Sequence, residues 1–283
     1  MYKTITLSNG VLTAAISTKG AELISLKKDD FENIWDGNPD IWPKHSPVPF
    51  PICGRLVNGK YTYDGKEYEL GMHGFGPTSE YEVEKQTDTS VTFLLKDSEE
   101  TMQVYPFCFE FRVCYTLVEN SLEVSYNVTN KDSKKMYFSI GSHEAYSCPE
   151  GIEEYSVLFS EKEDLEYSIL ENAFLSDKIG AFGICGELPL KYDYFDIDTL
   201  IFRKIKTKDF VLKNRTTGRQ IRIFSDDADN LLVWTKKEAN YICLELWCGL
   251  PDHINTDGDI TKKVGILSLE PQKALTRKHT ITF

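Results

Sequence analysis

A period of two recurs from one end of this chain to the other, and it limits the folds available more than any other feature. In Phe109-Glu110-Phe111-Arg112-Val113-Cys114-Tyr115-Thr116-Leu117 every odd position is apolar or aromatic. After the Glu119-Asn120 turn the pattern resumes at Leu122, Val124, Tyr126 and Val128. Successive strand side chains point to opposite faces, so two such runs joined by a short polar turn predict an antiparallel hairpin with one buried face. Residues 61–68 predict another, because Asp64-Gly65 suits a type I′ turn. Residues 11–17 with 22–27, 81–85 with 91–96, and 210–213 with 220–224 read the same way. Further strands are expected at 157–160, 200–205, 231–235, 241–247 and 278–283. Helical turns are expected only near 40–44, 98–105 and 170–177, and strand–helix alternation is lacking, which disfavours doubly wound and barrel folds. The expectation is an all-β chain, a large antiparallel β-sandwich forming a single domain over residues 1–283.

Composition narrows the partners. The chain has 32 Lys and Arg against 44 Asp and Glu, a net charge of −12. Its densest basic stretches, Arg203-Lys204-Ile205-Lys206 and residues 215–222, are interrupted by apolar or turn residues. A surface of this sign repels phosphate backbones, so nucleic acid is not expected as a partner. No apolar run approaches the length of a membrane span, and the start (Met1-Tyr2-Lys3-Thr4-Ile5-Thr6) alternates like a strand instead of forming the apolar core of a signal peptide. The seven cysteines (Cys53, Cys108, Cys114, Cys148, Cys185, Cys243 and Cys248) are odd in number and show no CxxC zinc spacing. They are expected to be reduced packing residues in a cytoplasmic protein.

Four segments break the alternation with residues that a strand core does not need. Pro47-Val48-Pro49-Phe50-Pro51-Ile52-Cys53-Gly54-Arg55 cannot join a central ladder and reads as a stiff loop delivering Arg55. Taken alone, a surface arginine after a rigid connection is the simpler reading. Gly71-Met72-His73-Gly74-Phe75-Gly76-Pro77 is a shaped loop presenting His73, or one packed over a structural imidazole. Tyr137-Phe138-Ser139-Ile140-Gly141-Ser142-His143 ends a buried strand on His143, an acid/base candidate that needs a carboxylate partner. In Tyr241-Ile242-Cys243-Leu244-Glu245-Leu246-Trp247-Cys248-Gly249, alternation sends Ile242, Leu244 and Leu246 to the core. Tyr241, Cys243, Glu245 and Trp247 then share the other face. A carboxylate between aromatics suits a sugar groove, where ring planes meet C–H faces.

In this order the segments resemble the aldose 1-epimerase (galactose mutarotase-like) family, and within it the shorter, LacX-like bacterial branch. The resemblance is carried by Asn33-Ile34-Trp35-Asp36-Gly37-Asn38-Pro39 with Trp42, then residues 50–55, 72–75, 105–117, 139–143 and 243–255. It implies a sugar groove on a β-sandwich and interconversion of the α and β anomers of a free hexose. It also implies His143 as acid, Glu245 as base, and Arg55, His73 and an aspartate holding sugar oxygens. That aspartate is Asp198, with Asp196 the alternative; Trp247 lies beside the base.

Mutarotation removes a proton from the anomeric hydroxyl, delivers one to the ring oxygen, and closes the opened ring on its other face. It requires no metal, cofactor or redox change. Glu245 at an ordinary carboxylate pKa would be ionised, and its charge would favour the imidazolium of His143. The chain departs from the branch at three points: Gly76-Pro77 replaces Ala-Arg, Glu144 follows His143 where proline is usual, and Leu246 lies between Glu245 and Trp247. Glu144 is therefore expected to place an extra carboxylate beside the acid. Alternatives are a hexose-6-phosphate 1-epimerase, with Lys44 or Arg203 supplying charge, and a non-catalytic sugar-binding protein; in each reading the chain is expected to be a monomer or a homodimer. His45 is expected to approach the groove, whereas His253 and His279 receive no role.

Overall fold

The computed structural model describes residues 2–283; Met1, the first residue of the alternating N-terminal run, lies outside them. Four strands, β1 (Thr4–Ser8), β2 (Leu12–Ser17), β3 (Leu23–Lys28) and β4 (Phe31–Glu32), make a small sheet in chain order. The hairpin of β5 (Lys60–Tyr63) and β6 (Lys66–Glu69) closes through Asp64 (φ 51°) and Gly65 (φ 72°), the left-handed pair of a type I′ turn. Next come β7 (Glu82–Gln86), β8 (Ser90–Lys96), the short helix α1 (Glu99–Val104), β9 (Phe109–Val118) and β10 (Ser121–Asn130). The short strands β11 (Met136–Phe138), β12 (Ile140–Gly141) and β13 (Ala145–Ser147) precede the long hairpin of β14 (Tyr155–Glu171) and β15 (Phe174–Pro189). The chain ends with β16 (Leu200–Arg203), β17 (Asp209–Asn214), β18 (Gln220–Phe224), β19 (Asn230–Trp234), β20 (Tyr241–Cys248), β21 (Leu267–Leu269) and β22 (Ala274–Thr282).

The principal sheet has fourteen strands along the path β12-β20-β19-β16-β14-β17-β18-β22-β10-β9-β8-β7, with β13 also on β20 and β15 on β14. Its pairings are antiparallel throughout, as alternation demanded. The sheet cannot be flat. Glu144, in the strand segment beyond β20, lies seven strand steps from β22, or about 33 Å in a flat sheet at the usual strand spacing. Its carboxylate is nevertheless 3.0 Å from His279 Nε2 of β22. The two halves therefore fold face to face as a β-sandwich, and one continuous apolar cluster fills the space between them. That cluster contains the inward residues of β9 and β10 and also Ile242, Leu244 and Leu246 of β20.

One detail differs from the alternation reading. Residues 170–177 form no helical turn: they are the tip of the β14–β15 hairpin, reversed at Asn172 (φ 54°) and Ala173 (φ 66°). Most of this hairpin, including the charged side chains between Glu161 and Glu166, is at least partly exposed, so its sequence carries little apolar alternation and only residues 157–160 were readable as strand. At 40–44 there is a single turn, in which the N–H groups of Ile41 and Trp42 both donate to Asn38 O. The expected helix near 98–105 is α1, whose Ser98 Oγ accepts from Thr101 N and whose Thr101 Oγ1 accepts from Ser98 N.

Candidate active site

Glu245 and His143 are brought together by strand register. On β20, Trp247 pairs with Gly141 of β12, and Cys243 pairs with Ala145 of β13. The same register across the gap between β12 and β13 sets His143 directly opposite Glu245, where cross-strand side chains touch. His143 Nε2 lies 3.5 Å from Glu245 Oε2. Both side chains are almost wholly buried, and neither His143 Nδ1 nor Glu245 Oε2 has a hydrogen-bond partner among the described residues. The carboxylate partner that His143 needed is therefore present. His143 and Glu245 stand side by side instead of on opposite sides of a bound ring. That arrangement suits mutarotation, because the hydroxyl oxygen and the ring oxygen are bonded to one carbon.

Alternation also disposes of Glu144, which does not sit beside His143. It projects to the opposite face, into the sandwich core, and bonds His279, whose ring stacks on Tyr126. The expected extra carboxylate is absent from the cavity, although its charge is still felt by Glu245.

The pair opens into a cavity of about 330 Å³, at the small end of the roughly 300–1,000 Å³ typical of ligand sites. Arg55, His73, Asp198 and Trp247 all contribute to its wall, whereas Asp196 does not. Arg55 is exposed at the rim, at the end of the proline loop. Among the hydrogen bonds that tie that loop to the glycine loop are two at His73: His73 N donates to Gly54 O, and Gly54 N donates to His73 Nδ1 at 3.2 Å. The second leaves the proton of neutral His73 on Nε2. His73 is thus both a packed imidazole and a member of the wall. His45 lies outside the wall, 3.8 Å from Glu22, and Arg203 on β16 is likewise remote.

Alternation along β19 explains residues that sequence reasoning had not assigned to the site. Leu232 pairs with Glu245 and Trp234 with Cys243, so Leu232 and Trp234 share the face of the proposed base. Trp42 stacks on His143 at 5.3 Å between ring centroids and meets Trp234 edge-on. Lys44 and Lys236 complete the charged lining, Lys236 Nζ bonding Ile41 O. Among the described residues neither Lys44 nor Arg55 forms an ion pair. The alternation of residues 231–235 was the available signal for Leu232 and Trp234. Lys44 was expected only under the phosphate alternative, and for Lys236, which comes from a loop, there was no signal.

Trp247 owes its position to a glycine. Its Nε1 donates to Ser142 O at 2.9 Å, and a Cβ on Gly141 would lie 2.5 Å from the indole ring. Gly141→Ala is therefore expected to displace Trp247, destabilise the fold by about 1–3 kcal/mol and weaken sugar binding. Urea denaturation and ligand titration of the variant check this; unchanged binding would separate Trp247 from recognition.

Electrostatics depart from the simple expectation. Burial pushes the Glu245 carboxyl well above the ordinary carboxylate range, with repulsion from Glu144 and Asp198 adding to it. Burial pushes His143 well below its ordinary value, with His73 adding repulsion. Desolvation is the leading cause at both residues, where mutual attraction had been expected to charge them. The pair still holds one transferable proton, since carboxylic acid plus imidazole carries the same number of protons as carboxylate plus imidazolium.

His73 is driven down to about 3 by burial, with Lys44 and Arg55 facing it as like charges and His143 beside it. Below about pH 6.5 the unfolded chain takes up a proton at this residue that the folded chain refuses until about pH 3. Stability is therefore full above that window and falls as pH drops through it, by at most about 1.4 kcal/mol per pH unit from this residue. His73→Gln is expected to flatten the acid side of a urea-midpoint profile between pH 6 and 4. An unchanged slope would show that His73 charges freely in the folded state.

Comparison with known proteins gives the family and the fold. The family model described as aldose 1-epimerase matches residues 3–265. The plasmid-encoded LacX protein of Lactococcus lactis subsp. lactis is 33% identical over 99% of both chains. The X-ray structure of a galactose mutarotase related enzyme from Lactobacillus acidophilus superposes with a TM-score of 0.95 at 36% identity, covering 99% of this chain and 97% of that one. A galactose mutarotase-like protein from Lactobacillus casei gives 0.94 at 28%, covering 99% of both.

Proposed function

The chain belongs to the aldose 1-epimerase family, and from that premise we propose that it interconverts the α and β anomers of a free hexose such as galactose or glucose. The observation that carries the reading is the buried His143–Glu245 contact at 3.5 Å, opening into a cavity of monosaccharide size. At this separation the contact is looser than a formed hydrogen bond, as unliganded catalytic pairs commonly are. When sugar hydroxyls donate to Glu245, its proton passes to His143. Glu245 then removes the anomeric proton while His143 protonates the ring oxygen. The ring opens, the aldehyde rotates, and closure reverses both transfers. Arg55, His73 and Asp198 hold hydroxyl oxygens, and Trp247 and Trp42 supply apolar surface.

Residues 1–283 act as one domain in this reading, which the unbroken strand path from β12 to β7 supports. A reducing cytoplasm is the proposed setting, supported by seven unpaired cysteines. Among the described residues no helix is long and apolar enough to cross a membrane.

A second reading, action on hexose 6-phosphates, is favoured by Lys44 and Lys236 standing with Arg55 in the wall of a cavity belonging to an acidic chain. One experiment decides. Anomer exchange of α-galactose, α-glucose and glucose 6-phosphate is followed by NMR with and without protein. Acceleration of the free sugars supports the first reading, and acceleration of the phosphate ester alone replaces it with the second. Saturable binding with no acceleration makes the chain a sugar-binding protein and ends both.

A further inference from the structure

Cys243 plays no part in the chemistry above, yet it lies beside the reacting pair. It is two residues from Glu245 on the same face of β20, it pairs with Ala145 just beyond His143, and it is fully buried. One ligand-type atom each from His143, Cys243 and Glu245 lie within 4.8 Å of one another. Imidazole nitrogen, thiol sulfur and carboxylate oxygen are the donor set of tetrahedral zinc, with bonds of about 2.0–2.3 Å that place ligand atoms roughly 3.3–3.7 Å apart. Contraction by about 1 Å, within reach of side-chain rotation, closes the three around one ion. A second observation points the same way: Glu245 Oε2, which faces His143 Nε2 at 3.5 Å, is a buried polar atom without a hydrogen-bond partner among the described residues. Both residues also line the cavity, with Cys243 just behind its wall, so an ion can reach the three from the cavity side.

We infer that His143, Cys243 and Glu245 form a three-ligand site for a thiophilic divalent cation, zinc fitting best, whose occupation switches off the acid–base pair. Binding displaces the thiol proton of Cys243, and any proton held by Glu245, to solvent, and the ion then takes the lone pairs that would handle the sugar's protons. The binding half of this inference stands on the ligand set alone; the inhibitory half rests on the proposed roles of His143 and Glu245. The softness of the thiolate selects zinc or its analogue cobalt over magnesium or calcium.

The test uses the full chain, stripped with a chelator and titrated with Zn²⁺ or Co²⁺ alone. One Zn²⁺ per chain is expected by calorimetry, and Co²⁺ is expected to give a thiolate-to-metal charge-transfer band. Loss of an outer-shell partner already weakens metal sites by about 10–100-fold, so loss of a ligand in Cys243→Ser is expected to weaken zinc by about 100-fold or more and to abolish the band. Metal-free Cys243→Ser keeps its mutarotation rate and is spared by zinc, whereas wild-type protein stops and recovers with chelator. Cys243→Ala, small enough for the same apolar surroundings, repeats the test if the serine variant misfolds. A missing band, or a band that survives in both variants, overturns the site. A fully loaded wild type that still turns over at the metal-free rate overturns the inhibition. A Cys243-dependent band in a protein with no mutarotation on any sugar upholds the site and removes the enzymatic reading instead.

Discussion

Glu245→Gln is expected to lower the mutarotation rate by about 10²–10⁴-fold while leaving the fold and sugar affinity nearly unchanged. The side chain is 2% exposed and its carboxyl is already driven toward the neutral form by burial, so an isosteric neutral amide fits without stranding a charge. What the amide cannot do is accept and return a proton. His143→Asn is expected to cost a similar factor, because it removes the other half of a one-proton pair. The two losses will not multiply. Groups that act as a unit lose most of their effect when either is removed, so the double variant should lie close to the worse single one. NMR exchange rates of all three variants, with thermal unfolding as the control for folding, make the comparison. Rates within a few-fold of wild type in both single variants would end the acid–base assignment.

The largest expected effect on stability lies outside the reacting pair, at Asp252. Lys263 Nζ contacts Asp252 Oδ1 at 2.7 Å, with both side chains almost fully buried. The same residue accepts Val57 N through Oδ2, donates its own N–H to Arg55 O, and accepts Leu175 N on its carbonyl. It therefore joins the arginine loop, the tip of the long β14–β15 hairpin and the segment after β20, three parts of one wall. Asp252→Ala leaves the Lys263 ammonium buried without a counter-charge, which typically costs about 3–5 kcal/mol. Sugar binding should weaken as well, because the Arg55 segment loses the side-chain anchor at Val57 N. Asp252→Asn combined with Lys263→Met removes both charges and is expected to recover most of the stability. Urea denaturation of the single and double variants reads this directly; a single variant as stable as wild type would mean that Lys263 finds water.

The sequence by itself determined the strands and their buried faces. Alternation in residues 109–128 and 241–247 is a local property, and it correctly separated Ile242, Leu244 and Leu246 from Tyr241, Cys243, Glu245 and Trp247. The Asp64-Gly65 turn was equally local, since the left-handed backbone it needs is written in the residue types. The exposed hairpin of β14 and β15 escaped because a strand with little to bury keeps little apolar period. What only the tertiary structure decided was which distant segments meet. The register of β12 and β13 on β20 set His143 against Glu245, and the folding of the two halves brought His279 to Glu144. Loop packing brought Lys236 into the cavity beside Lys44, and burial works against the ionisation expected of His143 and Glu245. Face and turn type depend on a residue's immediate neighbours; cross-strand partners and desolvation depend on groups a hundred residues away, which no local pattern records.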